Sequence, residues 1–312
     1  MKTGLKKEPL MFLALLLAAA PLSVKCCHRY EMEFRKTYEV KPGTKITVSN
    51  SNGKIEIEKW DRKEVEVFAS IGSDKSMEEL TKAKIEVSLD ENMEIATIYS
   101  GEDKKESKKK EKDFGVWDFI KCLVKGEYSG NKINVDYEIK VPDYVVVSEV
   151  RTSNGGIDLQ GTKGPSELIT TNGKIEVENV EGDIEAKSTN GKIKIENVNG
   201  FVSGRTTNGK IEVKSEGIKD LTTTNGGIEA EMKSIKENIK IRTTNGSIKL
   251  GLPSSLNAIL ELSTTNGGID LNDITLEVTS KHKNKYIKGK MGKGGPEINA
   301  STTNGGIKLR KL

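Results

Sequence analysis

Three cysteines, two histidines and 5% aromatic residues in 312 positions set the first limits on this chain. Cys26, Cys27 and Cys122 form neither a disulfide framework nor a zinc spacing. His28 and His282 both stand in basic, loop-like surroundings. No HExxH, Gly-x-Ser-x-Gly or Cys–His pairing accompanies them. So few aromatic rings do not suit a thick globular core. They suit a thin one built from Ile, Val and Thr.

What the sequence does have is a repeat. Asn-Gly followed two residues later by Ile occurs nine times, at Asn52, Asn154, Asn172, Asn190, Asn208, Asn225, Asn245, Asn266 and Asn304. From Asn154 to Asn266 the steps are 18, 18, 18, 17, 20 and 21 residues, and the last step is 38. A near-fixed period of this size is the mark of a stacked-repeat architecture. Three positions after Asn stand Ile55, Ile157, Ile175, Ile193, Ile211, Ile228, Ile248, Ile269 and Ile307. Five positions after Asn the residue is again apolar, and between the two it is always charged, as in Glu176, Lys194 and Glu212. That period of two predicts a β-strand with one buried face. Each repeat holds about two short strands. Asn-Gly tolerates positive φ and is expected to make a tight turn between them.

An antiparallel meander would leave the Ile/Val face in need of cover. A coil closes that face on itself. The expected fold is therefore all-β: a single-chain, β-helix-like solenoid of roughly 18-residue coils, with equivalent strands stacked in parallel about 4.8 Å apart. The Asn column is expected to form an amide ladder and the Ile column to line the interior. Of each Thr-Thr pair before Asn, one residue points inward. The last copy, residues 301–312, is expected to close the stack.

Taken in order, residues 1–27 read as an export signal: Lys2, Lys6 and Lys7 precede an apolar run from Leu10 to Ala20. Cys26 stands where a lipoprotein carries its lipid, which would anchor the chain to a membrane. Val24-Lys25 departs from the small residues expected before such a cysteine, and simple cleavage is the alternative. Residues 30–150 form a β-rich N-terminal part. Within it, Ser76-Met77-Glu78-Glu79 resembles a capping box and predicts one short helix to about Lys82. A Lys-rich insertion spans 101–131, where a basic run meets an apolar, aromatic segment. It is read as a solvated loop with a capping helix, or as a contact to an anionic membrane surface. Residues 151–312 form the Asn-Gly repeat body. A second basic insertion at 281–296 carries Lys281, Lys283, Lys285, Lys288, Lys290 and Lys293, candidate contacts for an anionic ligand.

No catalytic, cofactor or metal constellation emerges from these residues. Carboxylates are spread one per repeat and mixed with lysine. Such columns keep a stack soluble and unpaired with its neighbours.

The chain resembles the bacterial putative-adhesin family, a β-strand-repeat domain of unknown function found in cell-envelope proteins. Three pieces carry the resemblance. The first is Tyr38-Glu39-Val40-Lys41-Pro42-Gly43 leading to Ser51-Asn52-Gly53-Lys54-Ile55 and Trp60-Asp61. The second is the run of Thr-Asn-Gly coils. The third is Gly294-Gly295-Pro296-Glu297-Ile298 before Thr302-Thr303-Asn304-Gly305-Gly306-Ile307. The resemblance covers about residues 34–312. It implies a right-handed β-solenoid-like fold, export, and a surface or adhesive role, with no catalytic residues to carry over. The expectation is an exported, non-enzymatic module of the cell envelope, periplasmic or at the cell surface, for binding, adhesion or scaffolding. Its expected partner is an anionic envelope polymer, a glycan or an envelope protein. The alternatives are a polysaccharide-active enzyme on a β-helix and an envelope-stress signalling component.

Overall fold

The computed structural model describes residues 30–99, 133–272 and 274–312. The export signal, Cys26 and the Lys-rich segment 101–131 lie outside them. The described chain is all-β apart from one short helix, Met77–Leu80, capped by Ser76, whose hydroxyl accepts from the Glu79 N–H at 3.3 Å.

The repeats stack in parallel and in register. On one face Ser166–Asn172 pairs with Val146–Asn154 on one side and Ile184–Lys187 on the other. On the next face Ile175–Glu178 pairs with Ile157–Gln160 and Ile193–Asn208, with Ile opposite Ile. Alternation then decides burial. Ile157, Ile175, Ile193, Ile211, Ile228, Ile248 and Ile307 are at most 1% exposed, and Ile269, at one end of the stack, is 8% exposed. Residues five after Asn, such as Leu159, Val177 and Ile195, share that interior. The charged residues between them face outward.

The glycine after Asn does a different job from the one its sequence suggests. Of the nine, only Gly53 has positive φ. In the regular repeats positive φ falls instead farther along each coil, at Gly161, Gly164, Asn179, Gly182 and Asn197. What the Asn-Gly glycines provide is close approach. A Cβ on Gly173 would lie 1.8 Å from the Gly155 carbonyl oxygen, and one on Gly191 would lie 1.7 Å from that of Gly173. No side chain fits between the rungs there.

The inward Thr of each pair uses that same proximity. Thr170 donates to the Gly155 carbonyl at 2.9 Å, Thr206 to Gly191 at 3.1 Å, Thr243 to Gly226 at 2.7 Å and Thr302 to Gly246 at 2.8 Å. These hydroxyls are in the interior, where an unpaired polar atom is costly. Thr206→Val, nearly isosteric, is expected to cost about 1–3 kcal/mol by leaving the Gly191 carbonyl without this donor. The shift of its denaturant midpoint checks this.

The rungs do not follow chain order at the C-terminal end. Glu297–Asn304 pairs with Ile239–Asn245 on one side and Ala258–Thr264 on the other. Likewise Ile307–Lys311 lies between Ile248–Leu252 and Ile269–Asp270. The last copy in sequence is thus the penultimate rung in space. It does not close the stack, contrary to the expectation from sequence order.

Antiparallel strands cover both ends. At the C-terminal end Tyr286–Met291 pairs with Ala258–Thr264 and then with Glu277–His282. At the other end Met93–Tyr99 and Ile133–Val141 extend the parallel faces beyond the Asn52 rung. Ala83–Leu89 and Glu64–Ser73 then run antiparallel to them, and Tyr30–Glu39 lies outside Glu64–Ser73. Covering the open edges of a stack with hairpins blocks further strand addition.

Candidate binding surfaces

Three outward features stand on this frame. The first is a ridge of amides. Nδ2 of Asn154 donates to Oδ1 of Asn52, and the bond repeats through Asn172, Asn190, Asn208, Asn225, Asn245, Asn304 and Asn266, in that spatial order, at 2.7–2.9 Å. The outward Thr residues, such as Thr171 and Thr207, lie exposed beside it. Each amide between the two ends of the ladder already spends a donor and an acceptor on its neighbours. The ridge therefore offers a ligand fewer free groups than nine separate asparagines would.

The second feature is the charge on the repeat faces, which is largely compensated across rungs. Lys210 reaches Glu212 at 2.7 Å and Glu229 at 2.9 Å, and Lys192 reaches Glu212 at 2.6 Å. Burial alone would raise the Glu212 pKa. The hydrogen bonds from Lys192 and Lys210 outweigh it and hold the carboxyl down to about 2. Lys54 joins Glu56 and Asp158, and Lys214 joins Glu196. Exposed pairs of this kind are worth ~0–1 kcal/mol each. Their main effect is to leave the faces nearly neutral.

The basic hairpin differs. The second basic insertion, residues 281–296, builds most of the pair Glu277–His282 and Tyr286–Met291, with a turn in which Lys283 takes φ of 50°. Lys288 is tied to Glu261 at 3.0 Å and Glu297 at 3.1 Å, and Lys290 approaches Glu277 at 3.9 Å. Lys285 donates to the Gly267 carbonyl, a neutral acceptor, at 2.7 Å. Lys281, Lys283 and Lys293 have no carboxylate partner among the described residues. The six candidate lysines therefore divide: Lys288 and Lys290 serve the fold, and the other four leave positive charge at one end of the stack.

The third feature escapes the sequence reading. An open groove of about 620 Å³ includes Asp183, Phe201, Glu216, Lys219, Lys236 and Glu237 in its lining. Lys236 Nζ lies 4.6 Å from the Phe201 ring centre, and Lys219 Nζ lies 5.9 Å away. Lys219 also bonds Asp183 at 2.7 Å, and the Phe201 N–H donates to the same carboxylate at 2.9 Å. Burial would raise the Asp183 pKa, but these two donors hold it below the usual range. The available signal was a column: Pro165, Asp183 and Phe201 each follow a glycine, and the aromatic stands out there. Among the described residues no group of three His, Cys, Asp or Glu side chains could hold a metal ion.

A family model described as Toastrack DUF4097 matches residues 43–310. Among solved structures, the chain is similar to that of a putative adhesin from Bacteroides fragilis, at 12% identity and a TM-score of 0.44, over 90% of this chain and 97% of that one. It is similar to a putative cell adhesion protein from Clostridium sporogenes, at 13% identity and a TM-score of 0.25, over 90% and 100%. A putative lipid binding protein from Parabacteroides distasonis aligns at 13% identity and a TM-score of 0.39, over 89% and 96%. No curated protein matches the chain.

Proposed function

The chain belongs to the Toastrack DUF4097 family, and from that premise we propose that it is an exported, non-enzymatic module of the cell envelope that binds an anionic polymer at one end of a β-solenoid. In this reading residues 1–27 direct export, and Cys26 is the place for a lipid anchor. The stacked rungs are the solenoid, which serves as a rigid support. The observation that carries the reading is the contrast in charge compensation. Most lysines on the repeat faces lie within 4 Å of a carboxylate of their own or a neighbouring rung, Lys233 and Lys240 being exceptions, whereas Lys281, Lys283 and Lys293 at the end of the stack have no such partner among the described residues. Uncompensated ammonium groups spread over the strands that cover one end of the stack attract polyanions in a salt-dependent way.

Replacing Lys281, Lys283 and Lys293 with glutamine is expected to weaken retention on isolated envelope fractions by about tenfold or more, at roughly 1 kcal/mol per removed surface charge. A salt series should show the difference vanishing at high ionic strength. Retention that is unchanged in the triple variant would sink the proposal.

The groove favours a second reading, a polysaccharide-active enzyme, because three carboxylates line it. Asp183 fits the general-acid role poorly, since its two donors keep it ionised. Release of cleaved glycan by the purified chain would overturn the non-enzymatic reading.

A further inference from the structure

Every ladder asparagine precedes a glycine. In this pair the glycine nitrogen can attack the asparagine Cγ. The Cγ–Nδ2 bond breaks, and the amide leaves as ammonia with the glycine N–H proton. Water then opens the succinimide to aspartate or isoaspartate, so a neutral amide becomes a carboxylate. The attacking nitrogen must be free, and the side chain must swing onto it.

Inside the stack both conditions are opposed. The N–H of Gly155 donates to the Asn172 carbonyl at 3.0 Å, and the bond recurs from Gly173 to Asn190 at 3.2 Å, from Gly191 to Asn208 at 3.1 Å and from Gly226 to Asn245 at 3.0 Å. Each of these asparagine side chains is also bonded on both sides. At the N-terminal end the Gly53 N–H is held by the Asn154 carbonyl at 2.7 Å.

The other end is different. Asn266 is outermost in space. Its Nδ2 donates to Asn304 at 2.9 Å, but no ladder amide donates to its Oδ1. The Gly267 N–H has no acceptor among the described residues. The Lys285 ammonium bonds the carbonyl of Gly267, the residue whose nitrogen attacks, at 2.7 Å. Asn304 shares a following glycine whose N–H lacks an acceptor among the described residues, yet its side chain is bonded on both sides. We propose that Asn266 is a modification site, the ladder position at which spontaneous deamidation places a carboxylate at the end of the stack beside the basic hairpin.

The test is peptide mapping by mass spectrometry, with isoaspartate detection, on the full chain held in mildly alkaline buffer. Deamidation at Asn266 is expected to run about tenfold or more faster than at Asn172, Asn190 or Asn208, because ladder ends open more readily than its middle. In urea the three controls should accelerate to the rate of Asn266, since all then share only the local Asn-Gly sequence. Asn266→Gln should abolish the fast product and leave the slow ones. Equal rates in the folded chain would overturn the proposal, as would a difference that persists in urea.

Discussion

Deleting residues 296–312 is expected to unfold the C-terminal part of the stack rather than shorten it by one repeat. The segment is last in sequence but internal in space. Glu297–Asn304 and Ile307–Lys311 each pair on both edges, so their loss separates Ile239–Leu252 from Ala258–Asp270. Ile298, Ile307 and Leu309, each at most 1% exposed, would be removed, and their neighbours Ile241, Leu250, Leu260 and Leu262 would lose cover. At ~1.5–3 kcal/mol for each large aliphatic side chain, the three deleted ones alone approach the 5–15 kcal/mol stability of a typical domain. Amide exchange should show protection lost over 258–291 and kept over 146–225, because a stack is coupled mainly between neighbours. Deleting Tyr30–Glu39, which pairs with Glu64–Ser73, should have the milder effect of an end deletion. Unchanged protection over 258–291 in the first variant would mean that the outer rung can dock directly on Ile239–Leu252, and would remove the special status of the inserted one.

The second large effect is expected from a single methyl group. Gly191→Ala places a Cβ 1.7 Å from the Gly173 carbonyl oxygen, and backbone cannot rotate away as a side chain can. Relief requires two rungs to part in the middle of the stack, where their strands pair on both sides. Glycine to alanine usually stabilises when the backbone is compatible, by about 0.4–1 kcal/mol. Here the sign should reverse, with a loss of at least ~3 kcal/mol, the upper part of the range for overpacking. Ile175→Ala, which empties a fully buried site, should lose about 2–5 kcal/mol. Asn172→Ala, which breaks the exposed amide ladder, should lose only ~1 kcal/mol. Gly268→Ala is the control, since its Cβ would meet nothing within 4 Å. Denaturant midpoints should fall most for Gly191→Ala and Ile175→Ala, less for Asn172→Ala and least for Gly268→Ala. A neutral Gly191→Ala would mean that the rungs separate easily and that close approach is not what selects glycine.

Much of this was open to a reader of the sequence. Alternation around Ile175, Ile193 and Ile211 gave the strand and its buried face. The 18-residue recurrence gave the stacking, and Ser76 with Glu79 gave the helix cap. These features follow from side-chain chemistry acting along one segment, or from the same residue meeting its own copy one rung away. The purpose of the glycine after Asn was less open, because positive φ and close approach both call for glycine. Only the distance from Gly191 to the carbonyl of Gly173 separates them.

The order of the last rungs could not be read at all. The copies at Asn245, Asn266 and Asn304 carry the same motif and present equivalent edges, so local sequence does not state which lies beside which. The hairpin decides it. Tyr286–Met291 folds back antiparallel on Ala258–Thr264 and takes its outer edge, leaving only the inner edge for Glu297–Asn304. The same fold-back lifts Lys281 and Lys283 to the end of the stack and leaves Asn266 as the outermost amide. By itself the sequence determined the rung, through the period-two alternation that buries one face. The order of the rungs, their covered ends and the uncompensated charge were decided by tertiary pairing, where edges of equal chemistry are distinguished only by which of them is already occupied.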